Sequence, residues 1–131
     1  MKIEHIAFNV AHPVEMALWY EKNLQLTTVS KMMQAPFTHF LADNSGNVMI
    51  EIYNNPPDQV PDYAAMNPLI CHLAFASNHI DDDKSRLIAA GATLVDEVKL
   101  PDGTHLAMMR DPWGLAIQLC KRAKPMLLCQ K

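Results

Sequence analysis

Cysteine is scarce and shows no pattern. The chain has three, Cys71, Cys120 and Cys129, an odd number with no C-x-x-C spacing. That fits reduced thiols, with Cys71 and Cys120 inside strands, better than a disulfide framework or a zinc knuckle. Basic clusters are absent too. The net charge is −3 with histidine neutral, so no nucleic-acid partner is expected. No apolar run approaches the ~20 residues that a membrane helix needs. The opening Met1-Lys2-Ile3-Glu4-His5 has no apolar segment of the signal-peptide kind. A soluble, cytoplasmic protein without a membrane partner is the expectation. Only 19% of residues are charged and 50% are apolar, so 131 residues suffice for one compact domain with a substantial core.

What the chain does have is an internal repeat. Ile3-Glu4-His5-Ile6-Ala7-Phe8 is echoed by Ile70-Cys71-His72-Leu73-Ala74-Phe75. Glu51, in Val48-Met49-Ile50-Glu51-Ile52, lies 46 positions after His5. Gln118, in Leu115-Ala116-Ile117-Gln118-Leu119, lies 46 positions after His72. One offset of 67 therefore superimposes four polar residues set in apolar strands. Unrelated buried histidines would not carry matching polar partners at matching distances.

Taken in order, each half reads strand–helix–strand–strand–strand, an α+β pattern. In the first half strands are expected over 2–10, 27–33, 38–42 and 48–53. A helix begins at Pro13, whose missing N–H costs nothing in a first turn. Val14, Ala17, Leu18 and Glu21 to Leu24 carry its stripe, flanked by Trp19 and Tyr20. Four of the nine prolines (Pro56, Pro57, Pro61, Pro68) fall between Asn54 and Pro68, which marks 56–68 as a linker. Its apolar Tyr63, Ala64, Ala65 and Met66 predict that it packs. The second half has strands over 69–76, 93–98, 104–110 and 115–120. Its helix is capped by Ser77 or Asn78, carries Asp81, Asp82 and Asp83 in the first turn, buries Ile80, Leu87 and Ile88, and ends at Gly91. The modules are thus 2–55 and 69–122, within a single domain 1–122. The tail 123–131 has no readable role.

Period-2 alternation separates two faces. Ile6, Ile50, Leu73 and Ile117 point towards the helices. His5, Glu51, His72 and Gln118 share the other face with small neighbours, Ala7, Ala74 and Ala116. Small residues around converging polar groups predict that the mixed sheet curves around a cavity, with the helices outside. Two neutral imidazoles, a carboxylate and an amide oxygen form a reasonable ligand set for a divalent metal, Zn, Ni, Co, Mn or Fe(II). With such an ion the site carries about one net positive charge by formal counting, suited to an anionic or polarisable oxygen ligand. A lone strand histidine is more often a hydrogen-bonded core residue than a ligand; the matched spacing reverses that for His5 and His72. His12 and His79 at helix starts, and His39 and His105 near strand starts, read as ordinary surface or edge residues. Met32, Met33, Met108 and Met109 read as core filling.

These residues resemble the vicinal oxygen chelate superfamily, which includes glyoxalase I, bleomycin- and fosfomycin-resistance proteins, methylmalonyl-CoA epimerase and extradiol dioxygenases. The resemblance covers residues 2 to about 122. It is carried by His5-Ile6-Ala7-Phe8, Trp19-Tyr20-Glu21-Lys22-Asn23-Leu24 and Ile50-Glu51-Ile52. In the second half it is carried by His72-Leu73-Ala74-Phe75, Gly91-Ala92 and Asp111-Pro112-Trp113-Gly114 with Ile117-Gln118-Leu119. It implies tandem βαβββ modules whose metal ligands come from the first and last strand of each, the positions of His5, Glu51, His72 and Gln118. It also implies a small-molecule substrate and a homodimer, the modules pairing within a chain or across it.

One departure matters. Many relatives place a glutamate, often the base, where this chain has Gln118, and an amide takes up no proton at neutral pH. Base duty then falls to Glu51. Dioxygenase and thiol-transfer chemistry, which rely on that last glutamate, are disfavoured. The expected function is a metal-dependent glyoxalase-like lyase, or an isomerase or epimerase, acting by proton transfer on a substrate with adjacent oxygens. The alternative is a metal-free sequestering protein of the bleomycin-resistance kind.

Overall fold

The computed structural model describes residues 1–127, so Cys129 and the last part of the tail lie outside the described residues. The chain forms two compact units, Met1–Pro61 and Asp62–Lys131. The first contains β1 (His5–Asn9), α1 (Pro13–Leu24), β2 (Thr27–Lys31), β3 (His39–Ala42) and β4 (Met49–Tyr53). The second contains a 3-10 turn (Tyr63–Ala65), β5 (Leu73–Ala76), α2 (Ile80–Ala89), β6 (Thr93–Lys99), β7 (His105–Arg110) and β8 (Ala116–Lys121). Two helices and eight strands in two four-stranded mixed sheets make the α+β fold of the expected repeat, with strand orders β1-β4-β3-β2 and β5-β8-β7-β6. The β1/β4 and β5/β8 pairs are parallel and the others antiparallel.

The repeat holds at the level of register. Ile6 pairs with Ile50, Ala7 with Glu51 and Phe8 with Ile52. At the same offset Leu73 pairs with Ile117, Ala74 with Gln118 and Phe75 with Leu119. The helices begin at Pro13 and Ile80, again 67 apart. Each second strand carries a bulge, between Thr28 and Ser30 and between Leu94 and Asp96. A bulge adds one residue and sharpens the local twist.

Helix α1 presents Pro13, Met16, Ala17, Tyr20 and Asn23 to the core. That stripe is rotated from the expected one: Leu18 is 62% exposed, while Tyr20, read as a flank, is fully buried. The spacing 13, 16, 17, 20, 23 satisfies helical periodicity as well as the expected set does, and tertiary packing selects it. The helix lies over β2, β3 and β4, where Leu41 and Ile52 are sealed. It does not cover the β1 edge, so Ile6 is 47% exposed despite pointing to the helical face. In the second unit Ile80 and Leu87 are buried but Ile88, expected on the stripe, is open. Met108 and Met109 fill the core as expected, whereas Met32 and Met33 lie exposed in the connection after β2.

Several boundaries differ for local reasons. The expected strand over 69–76 begins only at Leu73, because Asn67-Pro68 nucleates a turn. The Asn67 side-chain oxygen accepts from the Leu69 N–H and its carbonyl from the Ile70 N–H. Cys71 therefore lies outside the strand and exposed, while Cys120 sits within β8. The N-cap of α2 is His79, not Ser77 or Asn78; the Ser77 hydroxyl donates instead to Asp83 at 2.6 Å. Gly91 takes the expected place beyond the helix end, at φ +104°.

The proline-rich segment packs. Arg110 donates to the carbonyls of Tyr63 (2.8 Å), Met66 (2.8 Å) and Gly114 (3.0 Å). Buried Asp111 accepts from the Trp113 and Leu115 N–H groups and so shapes the turn before β8. Within that turn Gly114 stands against Ala64: a Cβ there would lie 2.6 Å from the Ala64 Cβ and 2.8 Å from its Cα.

Candidate functional site

In the first unit the ladder fixes which side chains share a face. Glu51 is flanked by Ala7 on β1 and Phe40 on β3, so all three point the same way. His5, two residues before Ala7, joins them; its ring meets Phe40 edge-on with centroids 5.7 Å apart. The small Ala7 leaves the space that a larger residue would fill. His5 Nε2 consequently reaches 3.1 Å from Glu51 Oε2, with side-chain exposures of 35% and 18%.

The other ring nitrogen decides what His5 can do. His5 Nδ1–H donates to Glu4 Oε2 at 2.6 Å. With its proton on Nδ1 bound to Glu4, the ring would offer the Nε2 lone pair to an ion beside Glu51. Two electron-pair donors facing one space, with a carboxylate behind the imidazole, match the donor–orienter arrangement of histidine metal ligands. Glu4 went unnoticed in the sequence because neighbouring strand residues point to opposite faces. It lies one position before β1, where that alternation does not bind it.

The second unit repeats the device with different atoms. His72, immediately before β5, donates from Nδ1 to the Pro68 carbonyl at 2.9 Å. Its Nε2 is the atom left for a ligand. The carbonyl is available because of the same Asn67-Pro68 turn that shortened the strand. Gln118 sits in β8 between Ala74 and Met108 and is partly exposed. Its amide makes no hydrogen bond among the described residues. Of the four expected ligands, the structure brings His5 against Glu51 and presets both histidines through Nδ1. It joins His72 to Gln118 by no hydrogen bond or ion pair among the described residues. By donor chemistry, the imidazole Nε2 and carboxylate of the first unit, and the imidazole Nε2 and amide oxygen of the second, are each of a kind that fits a borderline divalent cation such as zinc, nickel or iron(II).

A second group arises where none was expected. Asp81, Glu97 and His105 bring one potential ligand atom each within 4.8 Å of one another, a possible acidic/histidine site for a cation. The Lys84 ammonium stands among them, 3.3 Å from Asp81 and 3.0 Å from both Glu97 oxygens. His105 Nε2 adds a 2.6 Å contact to Glu97. The hydrogen bonds from His105 and then Lys84 hold the Glu97 carboxyl below the usual glutamate range, and Glu97 in turn raises Lys84. Lysine already supplies the positive charge, so this is an ion-pair network. His105, expected to be an ordinary surface or edge residue, is a member of it. His39 also departs from that expectation: it is 3% exposed.

With this geometry established, known proteins show what the chain is similar to. The family model for the Glyoxalase/Bleomycin resistance protein/Dioxygenase superfamily matches residues 2–119. The chain belongs to that superfamily. No curated protein matches it. Solved structures show the same fold at low identity. TnmS3, an antibiotic binding protein from Streptomyces sp. CB03234, aligns with TM-score 0.70 and 16% identity over 92% of this chain and 94% of its own. A lactoylglutathione lyase from Agrobacterium tumefaciens aligns with TM-score 0.67 and 18% identity over 92% and 93%. A glyoxalase/bleomycin resistance protein from Streptomyces sp. CB03234 gives 0.66 and 16% over 92% and 100%. The structures sharing this fold thus include a lyase and an antibiotic binding protein. No helix among the described residues is long and apolar enough to cross a membrane.

Proposed function

We propose that this superfamily member is a metal-dependent lyase or isomerase that moves a proton on a small substrate carrying two adjacent oxygens. The pairing of His5 Nε2 with Glu51 Oε2 at 3.1 Å, backed by Glu4 on Nδ1, carries the reading. His5, Glu51, His72 and Gln118 would hold the ion, within one domain 1–122 whose modules are 2–55 and 69–122. A divalent ion at these donors supplies Lewis-acid polarisation of a substrate carbonyl. Glu51, the only carboxylate of the four, takes the proton from the neighbouring carbon at a side-chain oxygen and returns it to the next carbon or the opposite face. Glu4 orients His5. Gln118 donates or accepts hydrogen bonds and takes no proton. A homodimer in the cytoplasm is the proposed setting, with linker 56–68 joining the modules and 123–131 as a tail.

The test is solvent deuterium exchange into α-hydroxy-carbonyl, hemithioacetal and 2-substituted acyl-thioester substrates with zinc, nickel or cobalt added. Exchange is expected in the wild type and lost in Glu51→Ala. Exchange that survives Glu51→Ala, or none for any compound shown to bind, would overturn the reading.

The second reading is a metal-free small-molecule-binding protein. The uncharged Gln118 favours it, since a sequestering site needs no second carboxylate, and an antibiotic binding protein is among the structures sharing the fold. Elemental analysis after purification without chelator or metal-affinity resin separates the two.

A further inference from the structure

A cavity of about 260 Å³ lies between α1 and the β2–β3 connection, within the first unit. It is on the sheet face opposite Glu51: His39 precedes Phe40, the ladder partner of Glu51, and so points the other way. Val14, Ala17 and Leu18 from α1 and Met33 from the connection supply apolar wall. The rotated helix stripe is what leaves Val14 and Leu18 out of the core and available to it. The bulge between Thr28 and Ser30 turns both Thr28 and Lys31 to this face, which strict alternation would forbid.

His39 is the chemically distinctive wall residue. It is 97% buried by its 3% exposure, and its Nδ1 lies 2.7 Å from the Phe37 carbonyl. A carbonyl only accepts, so Nδ1 carries the proton and Nε2 is left as an acceptor. Nε2 has no hydrogen-bond partner among the described residues. The open space that His39 lines is this cavity. The Glu21 carboxylate accepts from the Thr28 hydroxyl through one oxygen and keeps the other as a charged acceptor, and Lys31 is a donor. His39 Nε2 is the neutral acceptor in the wall for a ligand's hydroxyl.

We propose that this cavity is a second small-molecule site, for a phenol-class ligand. Its hydroxyl donates to His39 Nε2 and its ring packs on Ala17, Leu18 and Met33. An apolar cavity of about 150 Å³ accepts benzene, so this volume takes a substituted ring. Methionine sulfur makes favourable contacts with aromatic rings. A phenol is a stronger donor than an aliphatic alcohol, and the apolar wall disfavours more polar compounds.

The probe is p-cresol, titrated into the full-length protein with ¹⁵N-labelled histidine and followed by long-range correlation at the imidazole nitrogens. The control is 4-methylanisole, nearly the same shape without the donor. Saturable binding of p-cresol that shifts His39 Nε2 is expected, with 4-methylanisole about three- to tenfold weaker, the loss of one hydrogen bond. His39→Phe should remove the difference between the two. Leu18→Trp, at an exposed position that tolerates change, should weaken both alike. The proposal is overturned if p-cresol does not saturate the folded protein. It is equally overturned if both probes bind wild type equally, which would mean that Nε2 is merely hydrated, or if Leu18→Trp changes nothing.

Discussion

Glu4 and Glu51 stand at opposite nitrogens of one ring: Glu4 Oε2 lies 2.6 Å from His5 Nδ1, and Glu51 Oε2 lies 3.1 Å from Nε2. In the proposed site Glu4 orients the imidazole and Glu51 stands beside Nε2 as a second donor to the ion. If Glu4 only orients, Glu4→Gln should lower zinc affinity about tenfold, the lower end of what such supporting partners contribute. Calorimetric titration checks it, and an unchanged affinity would remove Glu4 from the site.

Charge at the two end positions gives an opposed pair of expectations. Glu51→Gln removes the only carboxylate of the proposed set, so divalent-ion affinity should fall by more than Glu4→Gln achieves. Gln118→Glu adds a second carboxylate and should raise it. Equal affinities for both variants would show that neither residue binds the ion.

Stability has its own test at Gly114. Its φ of +91° is unfavourable for any side chain, and a Cβ would meet Ala64 at 2.6 Å. Gly114→Ala should cost about 2 kcal/mol or more in denaturant unfolding, the scale of backbone strain and overpacking together. Adding Ala64→Gly should restore only part, because the Ala64 Cα and N are both at 2.8 Å and the backbone strain stays.

The Glu97 network predicts a pH dependence. The folded carboxyl titrates below the usual glutamate value, chiefly through the His105 hydrogen bond and then through Lys84. Its contribution is therefore fully present above the unfolded pKa and is lost as pH falls through the lower folded one. Glu97→Gln should make the acid side of the stability profile shallower. An unchanged slope in chemical denaturation between pH 5 and about 3 would count against the network.

Much of this was legible from residues alone. The offset of 67 is written in the chain, and parallel pairing at identical register follows from it: a slip of one residue would have put Glu51 and Gln118 on the helical face. The alternation that placed Ala7 beside His5 likewise left room for Glu51. Strand ends were less legible. Turns such as Asn67-Pro68 compete with strand formation through short side-chain hydrogen bonds, and apolar Leu69 and Ile70 masked that competition.

What the sequence determined by itself is the set of periodic facts: two modules, their order, and the four polar positions at one spacing. What tertiary structure alone decided is which atoms meet. Two helical stripes on α1 were equally periodic, and only packing over Leu41 and Ile52 chose the one with Tyr20. His39 and His105 looked like edge residues because burial depends on what lies across the sheet, which no local pattern records. The same holds for the tautomers of His5 and His72. A carboxylate in one case and a proline carbonyl in the other hold the proton on Nδ1, and those partners are set by turns and chain entry rather than by strand periodicity.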